Sequence, residues 1–456
     1  MESLTGTLYQ ETKLFIHIKT IPIMSERNRR KFIQHSSMLT GGLLLNPTMR
    51  NLRTKKPAES LKIGLVGCGG RGTGAAVQAL TANTGNKLVA IADVFEDQTK
   101  KCLKHLSGIN EISDQVMVPD ENTFVGFDAY QKVIRACDVV LLATPPAFRP
   151  EHFEYAVQEN THAFIEKPLA CDGAGIQRIV QAGKEATRKN LKVVVGLQNR
   201  YDPAHNEMVE RIKKGAIGDV LSSTCYYMKG GYELYPRAST SSELAFQIRN
   251  YHYFTWLWAG APGGLQIHNA DIVHWVKDSY PISAQGLGGR AVLRGKDSGD
   301  VFDHFYIEYT YADGTRMHSE VRNIDRTFRK NGVWFTGSKG TANVRDGIKT
   351  HSGRQTWKFD DSDAGNSLQI EHDRFFDAII NDTPMNNTEY GANSSLASIM
   401  GRMAAHTGQV ITWDDALNSP ALVEQDIRDW SQAPTVPNEE GIYRFPRPGQ
   451  DLAMTN

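Results

Sequence analysis

The sequence has few of the features that mark disulfide-rich, zinc-ribbon, membrane-spanning or nucleic-acid-binding proteins. Its 456 residues include only five cysteines, an odd number with no CxxC pair, so neither a dense disulfide framework nor a zinc ribbon is indicated. The 51 basic and 51 acidic side chains cancel, which removes the usual basis for binding nucleic acid or an anionic membrane. No apolar run approaches the roughly 18 residues that a membrane-spanning helix needs. The 40% hydrophobic and 22% charged content is that of a globular protein long enough for two domains.

Residues 1–60 are typical of an export signal followed by a linker. Two adjacent arginines, Arg29 and Arg30, precede a short and weakly apolar run at 36–45. This order resembles a bacterial twin-arginine signal, which predicts a periplasmic or otherwise exported protein. The alternative is a disordered basic tail, which would leave the protein in the cytoplasm. The twin-arginine route carries folded proteins, so an enzyme using it could acquire its cofactor before export.

From residue 61 onward, short apolar strands alternate with helices. The predicted strands are 61–66, 87–92, 115–118, 138–143, 163–166 and 192–196. The predicted helices are 73–82, 129–136, 152–160 and 173–188. Strands that are apolar throughout are buried on both faces, so this rhythm predicts an α/β fold with a doubly wound parallel sheet.

A glycine-rich loop follows the first predicted strand and opens the first predicted helix. Its sequence is Gly67-Cys68-Gly69-Gly70-Arg71-Gly72. Gly67, Gly69 and Gly72 fit the pattern G-x-G-x-x-G, in which the glycines permit a tight turn, close approach of a pyrophosphate and close packing of helix on strand. The helix N-terminus then faces the phosphates. We therefore assign residues 61–190 to a Rossmann domain that binds a dinucleotide.

Asp93 ends the second predicted strand, 21 residues after Gly72, where a carboxylate can accept hydrogen bonds from the adenosine ribose. A carboxylate there would repel a 2′-phosphate, so NAD is favoured over NADP. Arg71 leaves NADP open, because a guanidinium in the loop could pair with that phosphate.

Four further segments, taken together, point to one protein family, although no single one of them would. They are Thr144-Pro145-Pro146 followed by His152, Glu166-Lys167-Pro168, the run GLQNRYDPA at 196–204, and the run GAPGGLQIHNADIVHW at 260–275. Together they resemble the Gfo/Idh/MocA oxidoreductases, which include glucose–fructose oxidoreductase and inositol dehydrogenase, over about residues 61–410. The resemblance implies a C-terminal α+β domain, here 191–430, with a large open and mostly antiparallel sheet. Candidate strands are 220–228, 302–311, 315–321 and 333–337.

That sheet commonly forms the subunit interface in this family, so the resemblance also implies a homodimer or homotetramer. The last segment, 431–456, is rich in proline and polar residues. We expect it to be an arm over a surface or a partner subunit rather than a third domain.

Oxidising a secondary alcohol requires hydride transfer to a nicotinamide and removal of the hydroxyl proton. Lys167 ends an apolar strand, and apolar walls together with a cationic nicotinamide would lower its pKa toward neutrality. The resemblance makes Lys167 the catalytic lysine and His268 the second proton-transfer residue. Inositol-dehydrogenase-like members carry an aspartate four residues before that histidine, where this chain has Gly264. Lys167 and His268 are therefore expected to act without it.

The remaining site residues are assigned from their positions. The expected cofactor-binding residues are Gly67, Gly69, Gly70, Arg71, Gly72, Asp93, Thr144, Pro145, His152, Glu166, Lys167 and Gln198. The expected substrate-binding residues are Arg200, Tyr201, Arg249, Asn250 and Asp271. Arg249 and Asn250 lie in 242–258, whose aromatic and amide side chains suit a sugar ring, although a packed apolar helix is an equal alternative. A metal site at His268, Asp271 and His274 is conceivable, but two of them share a helix face that His274 does not, and we expect none.

The sequence thus predicts an NAD-dependent oxidoreductase that transfers a hydride between a nicotinamide and a secondary hydroxyl or keto group of a carbohydrate or polyol. Position C3 of a glycoside is a narrower hypothesis. Redox-assisted glycoside hydrolysis and a non-catalytic sugar or cofactor sensor are the alternatives. Because an exported enzyme meets little free NAD, we expect the cofactor to be tightly bound.

Overall fold

The computed structural model describes residues 60–450, except for 361, 363, 424 and 425. The twin-arginine-like segment lies outside the described residues, so export stays a prediction. Within the described part of the chain, no helix is both long and apolar enough to cross a membrane.

The first sheet is six-stranded and parallel throughout, with the order β3-β2-β1-β4-β5-β6. Its strands are β1 Lys62–Val66, β2 Lys87–Asp93, β3 Thr123–Val125, β4 Val139–Leu142, β5 His162–Ile165 and β6 Val193–Val195. The strands are nearly continuous in β-branched and aliphatic residues, which suits burial on both faces. The doubly wound parallel sheet is confirmed, and because β6 belongs to it, the sheet extends beyond residue 190.

The third strand is not where the sequence predicted it. The segment 115–118 makes a single bridge, from Val116 to Leu88, and the strand that joins β2 is Thr123–Val125. The reason lies in Gln115, whose buried amide nitrogen donates to the carbonyl oxygens of Leu80, Asn83 and Asn86. That side chain holds its segment against the end of a helix instead of in the sheet.

Twelve helices surround the sheets in the described residues. They are α1 Gly70–Ala82, α2 Glu96–Ser107, α3 Ala129–Ala136, α4 Arg149–Gln158, α5 Gly173–Arg188, α6 Pro203–Lys213, α7 Glu243–Arg249, α8 Thr255–Trp258, α9 Ile267–Lys277, α10 Ser367–Ile380, α11 Thr388–Thr407 and α12 Trp413–Leu417. Helix α10 packs on α1, and α11 packs on both α5 and the second sheet. Two helices from late in the chain therefore complete the first domain.

The second sheet has nine strands in the order β14-β13-β12-β11-β7-β10-β9-β8-β15. They are β7 Val220–Lys229, β8 Ser283–Gly289, β9 His304–Thr310, β10 Arg316–Asn323, β11 Lys330–Gly337, β12 Gly340–Asn343, β13 Gly347–Thr350, β14 Gln355–Trp357 and β15 Ile411–Thr412. Only β7 and β10 run parallel, so the predicted open and mostly antiparallel sheet is confirmed. Helix α9 packs on β7 and β11, and a π-helical turn at Pro262–Gln266 leads into it.

A third apolar cluster lies over the first domain. The aromatic segment 242–258 is not one helix but α7, a short turn and α8, and the late chain packs against it. Tyr443, from the proline-rich tail, is buried edge-on against Phe254 with ring centroids 5.0 Å apart. Trp430 reaches Phe95 and Phe127 of the first domain, at 5.4 and 4.8 Å. The late part of the chain, as far as residue 450, is therefore an arm packed on its own chain.

Candidate active site

A cavity of about 670 Å³ lies at the carboxyl ends of the parallel strands, where open α/β sheets bind their ligands. Every residue that the sequence assigned to the cofactor lines it. They are Gly67, Gly69, Gly70, Arg71, Gly72, Asp93, Thr144, Pro145, His152, Glu166, Lys167 and Gln198. The opposite wall comes from the second domain and includes His268 and Arg249. The cavity is thus enclosed between the two domains.

The glycine-rich loop leaves room for a pyrophosphate. A Cβ atom added to Gly69 or Gly70 would meet no heavy atom within 4 Å, so the backbone there is open to the cavity at the start of α1. Gly72 is different, because its Cβ would lie 1.8 Å from the carbonyl oxygen of Gly67. Gly67 itself has φ 95°, a conformation that favours glycine. These residues fit a dinucleotide in the way the pattern predicts.

Asp93 is held rigidly at the end of β2. Its carboxylate accepts hydrogen bonds from the backbone N–H groups of Cys68, at 2.8 Å, and Phe95, at 3.0 Å. Burial raises its pKa from the ordinary value, an effect that these two hydrogen bonds partly offset. Arg71 is engaged elsewhere, since its Nε donates to Glu166 at 2.5 Å and its Nη1 to Gln78 at 3.1 Å. Both observations favour a ribose over a 2′-phosphate.

His152 forms part of the same wall as an uncharged group. Its Nδ1 lies 3.2 Å from the hydroxyl of Thr144, and its ring stacks on Tyr130 with centroids 4.1 Å apart. Burial, assisted by the charges of Arg428 and Arg149, lowers its pKa to about 3. It is therefore a neutral positioning group for Thr144 near neutral pH.

Lys167 and His268 line the same cavity from its two domains. The Nζ of Lys167, directly after β5, donates to the carbonyl oxygen of Gly264, 2.8 Å away in the turn before α9. Burial lowers the pKa of Lys167 to about 8, with Glu166 opposing the shift and Arg149 and Arg71 adding to it. The lysine can therefore gain or lose a proton near neutrality.

His268 begins α9 on the opposite wall and is neutral. Burial, then the charges of Lys167 and Arg71, lower its pKa well below the ordinary value. Its Nδ1 is buried and has no hydrogen-bond partner among the described residues. A lysine that titrates near neutrality and a neutral imidazole thus face one cavity, and together they can hold and move the proton of a hydroxyl.

Comparison with known proteins gives this arrangement a family. Residues 61–197 match the model described as oxidoreductase family, NAD-binding Rossmann fold, of the Gfo/Idh/MocA group. The first domain is therefore similar to the NAD-binding domain of the Gfo/Idh/MocA oxidoreductases. An inositol 2-dehydrogenase of Acidothermus cellulolyticus is 30% identical over 232 residues, which are 51% of this chain and 58% of that protein. The chain thus matches less than two thirds of that relative's length.

Two other similarities are to a curated protein and to a solved structure. A glycosyl hydrolase family 109 protein of Porphyromonas gingivalis is 26% identical over 253 residues, 54% of this chain and 51% of that protein. The crystal structure of scyllo-inositol dehydrogenase from Lactobacillus casei with bound NAD(H) and scyllo-inositol superposes with a TM-score of 0.58 at 17% identity. It covers 78% of this chain and 100% of that one. At this identity, the superposition shows a shared fold.

Gly264, four residues before His268, has no room for a side chain. A Cβ atom on Gly264 would lie 2.0 Å from Nε1 of Trp258, so the indole occupies the space that a side chain would need. Trp258 lines the cavity and meets Tyr232 and His252 edge-to-face, with centroids 5.5 and 5.2 Å away. Trp258, Tyr232 and His252 therefore form an aromatic corner of the cavity next to Gly264.

Four of the five expected substrate residues lie outside the cavity wall. Arg200 and Asp271 form a two-point ion pair at 2.7 and 2.9 Å, and Ser394 donates to Asp271 at 2.7 Å. The hydroxyl of Tyr201 donates to Oδ1 of Asn387 at 2.6 Å. The structure corrects their placement: these groups satisfy one another inside the fold, joining the segment after β6 to α9 and α11.

Asn250 is the fourth of these residues, and its amide is likewise occupied. It accepts a hydrogen bond from the N–H of Tyr235 at 2.6 Å and donates to the carbonyl oxygen of Phe246 at 2.9 Å. Arg249 does line the cavity, but at the end that holds Asp93. It pairs with Asp97 and lies over the ring of Phe95 at 3.8 Å. This position fits the adenosine half of a dinucleotide and corrects the expected substrate contact.

The suggested metal cluster is also dispersed, because the Nδ1 of His274 lies 2.8 Å from the Tyr311 hydroxyl while Asp271 pairs with Arg200. In the described ranges, no group of three or more candidate ligands could hold a metal ion.

Sequence reasoning missed Tyr232, His252, Trp258, Ile427 and Arg428, all of which line the cavity. The high aromatic content of 251–258 was a sequence feature that could have placed His252 and Trp258 at the cavity. No sequence feature indicated Tyr232, Ile427 or Arg428, because only the tertiary fold brings the loop after β7 and the C-terminal arm to this wall.

Proposed function

We propose that this protein is an NAD-dependent oxidoreductase acting on a secondary hydroxyl or keto group of a polyol or carbohydrate. The observation that carries the proposal is the joint position of Lys167 and His268 on one cavity with the glycine loop and Asp93. The similarity to inositol 2-dehydrogenases supports this substrate class. Oxidation at C3 of a glycoside is the narrower form of the proposal.

The chain's own residues provide the proton chemistry. NAD held by the glycine-rich loop and Asp93 would supply the hydride acceptor. With a pKa of about 8, a fraction of Lys167 is neutral at pH 7, and that amine can accept the hydroxyl proton. The carbonyl oxygen of Gly264 then holds the resulting ammonium. His268, uncharged, orients the same hydroxyl by a hydrogen bond, and the aromatic corner excludes water from it.

The cofactor is proposed to be NAD and to stay bound between turnovers. Asp93, with its two backbone hydrogen bonds, disfavours a 2′-phosphate. Arg249 and the late residues Ile427 and Arg428 cover the cavity from the second domain, and Arg428 pairs with Glu151 of α4. A dinucleotide enclosed by both domains can leave only when these contacts open.

One purified sample tests cofactor and activity. Mass spectrometry of the denatured protein should show NAD in near-equal molar amount. Absorbance of NADH should rise, up to the amount of bound cofactor, when the protein is mixed with at least one member of a panel of cyclitols, sugars and glycosides, and the corresponding ketone should reverse the change. Lys167→Met should lower the rate by roughly 10²- to 10⁴-fold, whereas Lys184→Met, an exposed lysine on α5, should not. No turnover of either alcohols or ketones would contradict the proposal.

Redox-assisted cleavage of a glycoside is the second candidate, and similarity to the glycosyl hydrolase family 109 protein favours it. In this reaction the NADH formed at one step is consumed at a later one. Aryl glycosides distinguish the two functions, because cleavage releases the phenol without net NADH, whereas a dehydrogenase accumulates NADH and leaves the glycoside intact. Family relatives of the hydrolase type typically lack the lysine found here at 167, which weighs against cleavage.

We also infer export and self-association. The twin-arginine-like segment supports export, and a fusion of residues 1–60 to a reporter would test it in a bacterium with and without that pathway. The open face of the nine-stranded sheet supports a dimer or tetramer, since Leu287 and Tyr306 face each other across strands and are 63% and 36% exposed. Light scattering should give a multiple of the chain mass, and Leu287→Glu should reduce it.

A further inference from the structure

His252 is a cavity residue whose ring is fixed on both faces. Tyr232 stacks on it with centroids 3.6 Å apart and planes 8° apart, and Tyr251 lies 3.8 Å away. Two rings at such distances must occupy opposite faces of the imidazole. Trp258 adds an edge contact at 5.2 Å. Because the faces are covered, only the edge of His252, which carries its two nitrogens, remains to face the cavity.

The turn that carries His252 is rigid. Asn250 precedes it and is fixed by hydrogen bonds to Phe246 and to the backbone of Tyr235 on both its N–H and C=O. Tyr253 follows it, and its hydroxyl donates to the carbonyl oxygen of Tyr232. The stacked partner and the turn are thereby tied together, so the imidazole edge is preorganised rather than mobile.

The two nitrogens of His252 are available to a ligand. Among the described residues neither has a hydrogen-bond partner, in contrast to the core residue His274 and its contact with the Tyr311 hydroxyl. Burial, then the charges of Lys229 and Lys167, lower the pKa of His252 to about 3. A neutral imidazole offers one donor and one acceptor, which matches a hydroxyl group better than it matches an anion.

We propose that the edge of His252 binds a second hydroxyl of the substrate, on the same ring as the hydroxyl held by Lys167 and His268. The substrate is then a polyhydroxylated ring, a cyclitol or a pyranose, and His252 determines which ring position must carry a hydroxyl. This inference rests on the proposed function for the identity of the reacting group. The contact with His252 can be tested by itself, because a substrate analogue that lacks one hydroxyl removes only that contact.

The test combines one protein variant with substrate analogues. His252→Phe keeps an aromatic ring between Tyr232 and Tyr251 but removes both nitrogens. Dissociation constants of a ring polyol and its monodeoxy analogues are measured by calorimetry on the cofactor-loaded protein, and kcat/KM is measured for the same compounds. Leaving a buried hydrogen-bonding group without its partner costs about 1 to 3 kcal/mol, or about 5- to 150-fold in affinity.

We expect the wild-type protein to bind one particular deoxy analogue more weakly than the parent polyol by that factor in affinity. His252→Phe should bind the parent polyol more weakly than the wild-type protein does, by the same factor. The variant and the wild-type protein should bind that one analogue with nearly equal affinity. His105→Phe, an exposed histidine in α2, is the matched control and should behave as wild type. Melting temperature and bound NAD should be the same in all three proteins.

Weakening of the parent and all analogues by one common factor in His252→Phe would overturn the inference, because it would show a structural role. Failure of the wild-type protein to bind any ring polyol would also overturn it. Binding with the expected pattern but without NADH formation would sustain the His252 contact and reject the dehydrogenase function, so the two failures are distinguishable.

Discussion

The pH dependence of alcohol oxidation should follow the proton on Lys167. Only the neutral amine can accept the hydroxyl proton, so kcat/KM should rise about tenfold per pH unit below the pKa and level off above about 8. An ordinary lysine, with its pKa of about 10.4, would supply a neutral fraction roughly 200- to 300-fold smaller at pH 7. Reduction of the ketone needs the ammonium form, so it should decline over the same range as the pH rises.

Glu166→Gln changes this profile in a direction that the structure fixes. The carboxylate of Glu166 raises the pKa of Lys167, and it also holds Arg71 in an ion pair. Removing it deletes the one attractive charge and leaves Arg71, whose charge lowers the same pKa, without its partner. The midpoint for oxidation should therefore move to lower pH, by about one unit or more for loss of a close opposite charge.

Single-turnover rates of NADH formation on the cofactor-loaded proteins, between about pH 5.5 and 10, would give the midpoints of the wild-type protein and of Glu166→Gln. Glu185→Gln, at a half-buried carboxylate on α5 that pairs with Arg188 away from the cavity, is the control and should leave the midpoint unchanged. An unmoved or raised midpoint in Glu166→Gln would refute the electrostatic account. Retention of the same rising limb by Lys167→Met would refute the assignment of the proton to Lys167.

Three other substitutions test how the cofactor is retained, what the buried ion pair contributes to stability, and how closely Trp258 packs on Gly264. Arg249→Ala should speed release of NAD by roughly five- to tenfold, through loss of a cation–π and ion-pair bridge between the domains, as followed by a fluorescence chase with excess NAD. Arg200→Leu should lower stability by about 3 to 5 kcal/mol in urea unfolding, because it leaves buried Asp271 without its charge partner; a small effect would contradict the structural role. Gly264→Ala should cost about 1 to 3 kcal/mol and displace the Trp258 indole, visible in tryptophan fluorescence; an unchanged spectrum would show that the space is free.

The sequence alone determined the parallel sheet and its cofactor loop, because both depend on local pattern. Apolar runs that alternate with helices, a glycine loop between strand and helix, and Asp93 at a strand end each specify a conformation within a few residues. Lys167 could be recognised for the same reason, since it follows an apolar strand directly. The strand at 115–118 was the local exception, because a buried amide reaching helix carbonyls has no periodic signature.

Only the tertiary structure decided which polar residues beyond the first domain meet the cavity. Arg200 and Asp271 resembled ligand contacts by position, yet they neutralise each other, because burial of either charge requires the other. Arg249 lies beside Asp97 rather than at the reacting end. His252 presents only its edge to the cavity because Tyr232, which lies twenty residues earlier in a loop, stacks on one of its faces. Such pairings depend on how α7, α8 and the C-terminal arm fold over the first domain. Long-range packing of this kind produces no regular spacing of residues along the sequence.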